Sequence, residues 1–189
     1  CLVFPPEHED DGYQALWRFF IPEEAMTKRS HNDRVPYDAW VRQGYVEATR
    51  GNVIDYDFIL AQLYEDAEMY DLRDVAFDRW GATQIQIKLQ DEGLTVVAMG
   101  QGFGSMSPPT KELEKLILEH RLNHGSNPVA TWMAGNAVAE EDAAGNIKIN
   151  KAKSREKVDG MVMLVMALDR ALRNGGGGSV YEERGLLML

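Results

Sequence analysis

Residues 75–99 constrain the fold of this chain more than any other stretch. Val75-Ala76-Phe77 is a short apolar run that stops at Asp78, a helical pattern opens at Thr83, and residues 94–99 form a second compact apolar run. Between the two runs, Ile85 and Leu89 lie one turn apart on one helix face, and Gly93 closes the pattern. Strand, helix and strand at this length make a βαβ unit. Its crossover returns the chain in the same direction, so the two strands lie parallel in one sheet. An α/β domain is therefore expected.

The same stretch, LRDVAFDRWGA at 72–82, carries the first candidate site residue. In an open α/β sheet, ligands collect where a strand ends and its helix has yet to begin. Asp78 occupies that position on a backbone fixed by the sheet. By itself it reads equally as an acid that ends the strand or caps the helix.

The 189 residues are 44% hydrophobic, enough for one domain with a real core. No run of about 18 apolar residues occurs, so no membrane partner is expected. A single cysteine, Cys1, excludes an internal disulfide framework and suits a reducing cytoplasm. The formal net charge of -10 argues against a generic nucleic-acid coat, whose affinity comes from Lys and Arg on phosphates. A nuclease stays compatible with it, because such a site is itself a cluster of acids around divalent cations. The chain opens on Cys1-Leu2-Val3-Phe4 with no Met and no leader pattern, and it reads as a piece of a longer polypeptide.

Around Pro5-Pro6 and an acidic turn, residues 1–4 and 12–21 read as an antiparallel hairpin. Tyr13, Ala15, Trp17, Phe19 and Ile21 form its apolar face. A polar connection with a short helix is expected over 24–35, a helix over 36–43 ended by Gly44, and an extended piece over 45–53. Asp55 is placed to cap the next helix, with Phe58, Ile59, Gln62, Leu63, Ala67 and Tyr70 at helical spacing. The glycine-rich loop at 100–107, GQGFGSMS, matches neither phosphate-binding spacing, and Lys111 comes too late. Ser107-Pro108 reads as a helix start running to Gly125, with Leu113, Leu116, Ile117 and Leu122 on one side. His120 and His124 sit one turn apart without a third ligand nearby, and solvated residues at a helix end account for them. Residues 136–150 read as a hairpin whose acidic run at 140–142 is a solvated loop.

The last helix holds the second candidate. Ser154 is the expected N-cap, and Asp159-Gly160 precede MVMLVMAL, a run apolar on all sides and hence buried. Asp159 is expected where burial starts, as a carboxylate in need of a cation or a donor network. An acid favoured by the helix dipole is the alternative. Gly160 costs helix stability, and its missing side chain allows a close approach. Residues 174–189, NGGGGS followed by VYEERGLLML, read as a Gly-rich tether and tail.

The order of elements resembles the RNase H-like fold. The wording resembles more: FDRWGA at 77–82, MSPPTKELEKLILEHRLNHGSNPVATWMAGNAV at 106–138 and NKAKSREKVDGMVMLVMALDRAL at 150–172 are similar to the nuclease domain of the large terminase subunit of tailed bacteriophages, of HK97-like type. The resemblance covers the chain from Gly12 onward. It implies an RNase H-like nuclease domain over 1–173, a central mixed sheet flanked by helices with its first strand truncated, and a tether and tail over 174–189. It further implies a metal-dependent endonuclease that cuts concatemeric double-stranded DNA during packaging.

Asp78 and Asp159 would then be catalytic metal ligands for Mg2+ or Mn2+ in a two-metal site, with a third acid on a strand upstream of Cys1. Glu156 and Asp74 are weaker auxiliary acids. Lys151, Lys153 and Arg155 would contact the DNA backbone, or else form a solvated approach to the helix. The implied partners are double-stranded DNA, the terminase small subunit, the portal protein and an N-terminal ATPase domain of the same polypeptide, in the cytoplasm of the bacterial host. No Walker motif occurs in this chain. An alternative is a catalytically incomplete module that docks the motor to the portal or small subunit. A transposase or integrase would carry similar acids but not this wording.

Overall fold

The computed structural model describes residues 1–8, 11–79 and 83–174. Trp80, Gly81 and residues 175–189, which include most of the expected tether and all of the tail, lie outside the described residues.

The chain opens with the expected hairpin. Strand β1 (Leu2–Phe4) runs antiparallel to β2 (Tyr13–Leu16), with Val3 opposite Ala15. The alternating face holds, since Ala15, Trp17 and Ile21 are all buried. The strand itself breaks after Leu16, where Trp17 turns its indole N–H to the His124 carbonyl (3.0 Å) and stacks on Phe19 at 5.6 Å. Past the break, β3 (Phe20–Pro22) pairs in parallel with β4 (Glu47–Thr49). Between them lie α1 (Glu23–Asp33), which buries none of its residues, and α2 (Tyr37–Arg42). Gly44, with φ 78°, ends α2 as its position suggests, and the Tyr45 N–H bonds back to the Trp40 carbonyl.

Helix α3 (Tyr56–Met69) begins at Asp55, whose carboxylate accepts the Asp57 and Phe58 N–H groups. Its inward face differs from the expected stripe: Leu60 and Asp66 are buried, while Phe58 is exposed. Strand β5 (Val75–Asp78), α4 (Thr83–Asp91) and β6 (Val96–Met99) form the βαβ unit, with Asp78 paired in parallel to Met99. Ile85 and Leu89 are buried in a small core with Leu60.

Helix α5 (Phe103–Leu118) corrects the expected start at Ser107. It begins four residues earlier, capped by Gly102, with Pro108 and Pro109 inside it. The Ser107 hydroxyl is buried and accepts the Ile147 N–H at 3.1 Å, so a tertiary bond replaces the cap. The helix also ends earlier than Gly125. His120 takes the left-handed conformation (φ 56°), and the Arg121 N–H bonds to the Leu116 carbonyl, a Schellman closure. Leu122 therefore leaves the helix and enters β7 (Leu122–Asn123), parallel to β2, while Ile117 is exposed.

Asn127 caps α6 (Pro128–Asn136). Strands β8 (Ala139–Glu141) and β9 (Ile147–Ile149) are the expected hairpin. Asp142 organises its turn rather than floating in solvent, accepting the Ala144 and Asn146 N–H groups at 2.9 Å. Helix α7 (Asp159–Asn174) is the centre of the main core, with Val162, Val165, Met166 and Leu168 almost inaccessible. Among the described residues the strands group as β1-β2-β7, β3-β4, β5-β6 and β8-β9, with helices flanking them. No helix among the described residues is long and apolar enough to cross a membrane.

Candidate active site

Asp78 is the last residue of β5, half-buried, on a backbone fixed by the β5-β6 ladder. The ladder continues one step further, because the Arg79 N–H bonds to the Met99 carbonyl at 3.1 Å. The Gln101 carboxamide donates to Asp78 Oδ2 at 2.8 Å. Asp78 is thus the strand-end carboxylate that the sequence suggests, and it is oriented by a neutral donor.

Asp159 is placed differently from the expectation. Ser154 does not cap α7. Its hydroxyl donates to the Asn150 carbonyl at 2.7 Å and accepts the Val138 N–H at 3.2 Å, which closes a turn after the hairpin. The helix consequently starts at Asp159 itself. Its side chain is 61% exposed, not buried, and Lys151 Nζ lies 3.2 Å from Oδ1. Burial lies on either side of it, at Val158 and Gly160. A Cβ built on Gly160 would lie 2.8 Å from Met133 Sδ and 3.0 Å from the Phe19 ring, so the missing side chain does admit a close approach.

The basic cluster is split between local partners. Lys151 pairs with Asp159, and Lys153 lies 3.8 Å from Glu140. Arg155 is exposed, and its backbone N–H bonds to the Asn136 carbonyl. Of the auxiliary acids, Glu156 is exposed, whereas Asp74 is almost buried and ion-paired with Arg170 at 2.9 Å. Asp74 is thereby committed to a structural bond. His120 and His124 share no metal-type cluster, and among the described residues no three His, Cys, Asp or Glu side chains come together as a metal group.

Two features escaped the sequence. One is the Arg18–Asp66 pair: Nε to Oδ2 at 3.2 Å and Nη2 to Oδ1 at 2.7 Å, with Asp66 buried on α3. Only a buried acid at a helical core position could have signalled it. The other is a cavity of about 960 Å³ between β1 and β5, floored by Met163, Met166 and Ala167 of α7. Among the described residues, each of these strands has one paired neighbour, β2 and β6 respectively. Residues of both strands, Leu2–Phe4 and Val75–Asp78, line the cavity.

The fold and its strand-end acid define an α/β domain of the RNase H-like class. Comparison with known proteins narrows this. Residues 6–175 match the model of the family described as terminase large subunit, endonuclease domain. The large terminase subunit of Enterobacteria phage HK97 is 39% identical over 187 residues, 98% of this chain and 36% of that protein. Protein YmfN of Escherichia coli strain K12 is 31% identical over 166 residues, 85% of this chain and again 36% of the relative. The crystal structure of the HK97 large terminase superimposes with a TM-score of 0.80 at 40% identity, covering 87% of this chain and 35% of that one. The chain belongs to the terminase large-subunit endonuclease-domain family. It spans about a third of the length of the relatives it matches.

Proposed function

We propose that this chain is the divalent-metal-dependent endonuclease domain of a viral DNA-packaging terminase, and that it hydrolyses phosphodiester bonds of concatemeric double-stranded DNA. The observation that carries this reading is the family match over 6–175 together with an oriented strand-end carboxylate, Asp78. Asp78 and Asp159 are the metal ligands in this proposal. Both offer hard oxygen donors of the kind Mg2+ and Mn2+ prefer, and the exposure of Asp159 leaves it within reach of an ion and of DNA. A pair of such ions supplies activation of the attacking water and charge stabilisation at the leaving oxygen.

The ion pair between Asp74 and Arg170 supports a shared site. It ties the start of β5 to the C-terminal half of α7. From it β5 extends about 13 Å to Asp78 and α7 extends back about 16 Å to Asp159, at ordinary strand and helix rises. In this proposal α7 runs antiparallel to β5, which would bring both acids to one end of the layer. The chain's own residues then have distinct tasks. Gln101 orients Asp78, Lys151 holds Asp159 until a cation displaces it, and Lys151, Lys153 and Arg155 meet the DNA backbone.

A third acid would complete the site from an extended strand of a longer polypeptide, upstream of Cys1. The slot lined by β1 and β5 is the proposed place for such a strand. In that setting the further partners are an N-terminal ATPase domain, the small subunit and the portal, in the cytoplasm of the bacterial host. The second reading is an interaction module without catalysis that docks the motor to the portal or small subunit.

Plasmid nicking in Mn2+ separates the two. The complete gene product that carries this chain should nick DNA, and Asp78→Ala or Asp159→Ala should each lower the rate at least about 100-fold. Cleavage surviving both substitutions would remove these acids from the site. No metal-dependent cleavage by the complete product would leave the docking module.

A further inference from the structure

We infer that the glycine-rich loop after β6 is a carboxylate-holding loop, with Gln101 as the positioning residue for Asp78; this rests on the reading of Asp78 as a metal ligand. The loop resists assignment from sequence because its glycines fit no phosphate-binding pattern. The structure gives them another use. Asp78 pairs with Met99 across the parallel β5-β6 ladder, so the chain leaves β6 directly beside the acid. Gln101 follows two residues later and brings Nε2 to 2.8 Å from Asp78 Oδ2.

Its base is fixed on both sides. Gly100 continues from the ladder, where a Cβ would lie 3.7 Å from both the Arg79 guanidinium and Ser105 Oγ. Gly102 caps α5, its carbonyl accepting the Ser105 and Met106 N–H groups at 3.2 and 3.0 Å. A side chain held between a strand end and a helix start has little freedom to leave its partner.

The choice of a carboxamide matters chemically. A carboxylate only accepts, so the amide nitrogen of Gln101 faces it. A Lys or Arg at this position would also orient Asp78, but it would cancel the charge that attracts a cation. Gln101 holds the carboxylate without adding a charge of its own. Hydrogen bonds to a ligating carboxylate act on metal affinity in this way, typically by 10–100-fold.

The test measures Mn2+ binding by the electron paramagnetic resonance signal of free Mn2+, in the complete gene product and in its Gln101→Met and Asp78→Ala variants. Methionine matches glutamine in length and lacks the donor; Gln101→Ser replaces it where Gln101→Met fails to fold, with the same thresholds. Removing the donor should weaken Mn2+ binding about 10-fold and raise the Mn2+ concentration for half-maximal nicking by a similar factor. The thermal midpoint and the rate at saturating Mn2+ should move far less, a split that a purely structural role would not give. Affinity within twofold of wild type, where Asp78→Ala has lost binding, overturns the inference alone. Wild-type binding by Asp78→Ala overturns the assignment of Asp78 as a ligand, and this inference with it.

Discussion

Arg18 and Asp66 show how one pairing can outweigh a surface full of charges. Several ion pairs here are exposed, like Lys88–Asp57 or Arg42–Asp38, and such pairs contribute little because water already solvates both partners. Asp66 is different, with a side chain only 2% exposed. Truncating Arg18 strands a carboxylate out of water. Arg18→Met should therefore destabilise the domain by about 3 kcal/mol, and Arg18→Met with Asp66→Leu by clearly less, because a buried charge without its partner costs more than an apolar pair. Urea unfolding of the two variants checks the difference. Asp159 stands at the opposite extreme. Its pairing with Lys151 is exposed and gives little stability, which is compatible with the proposed role as a metal ligand.

Among the elements, the β8-β9 hairpin depends on a single acid. Asp142 accepts from two backbone N–H groups and from the Asn146 side chain. The Asn146 side-chain bond is the largest cause holding its pKa below the ordinary 3.8, and the Asn146 backbone N–H is the next. The sign follows from proton linkage. A depressed folded pKa means the turn gains its full stabilisation above 3.8 and loses it as pH falls through the lower, folded value. The protection of the Ala144 and Asn146 amides, taken relative to their intrinsic exchange at each pH, should fall across that acid window, and Asp142→Ala should abolish that fall.

The hairpin, the βαβ unit and the buried run of α7 were legible because each follows from local pattern. Glycine stops at 44 and 93 read equally well, since Gly is the residue that takes a left-handed closure without strain. What misled were ends set by distant partners. Ser107 looks like a cap but bonds to Ile147, and Ser154 looks like a cap but closes a turn on Asn150 and Val138. The second error moved Asp159 from an expected buried position to the exposed first turn of its helix. A hydroxyl before a helical run signals a cap only when nothing across the fold competes for it. Gln101 was invisible for the same reason: its meaning lies in strand β5, more than twenty positions away.

At the scale of the molecule, α7 joins what the strands leave separate. It packs beneath both β1 and β5, yet these strands belong to different sheets with a cavity of about 960 Å³ between them. Backbone groups of β1 and β5 that line it can bond to water, but the apolar Met163 and Met166 give that water little to hold it. An extended segment would satisfy these groups and cover the methionines at once, turning β1-β2-β7 and β5-β6 into one sheet. Amide hydrogen exchange distinguishes the two states. In the isolated 189-residue chain, peptides covering β1, which pairs on one side, should exchange faster than those covering β2, which pairs with both β1 and β7. In the complete gene product a strand in the slot should slow β1 and β5 by at least about tenfold, equivalent to about 1.4 kcal/mol of local opening, while the exposed helix α1 stays unchanged. Equal protection in both proteins would mean that nothing enters the slot, and would remove the proposed origin of a third metal ligand.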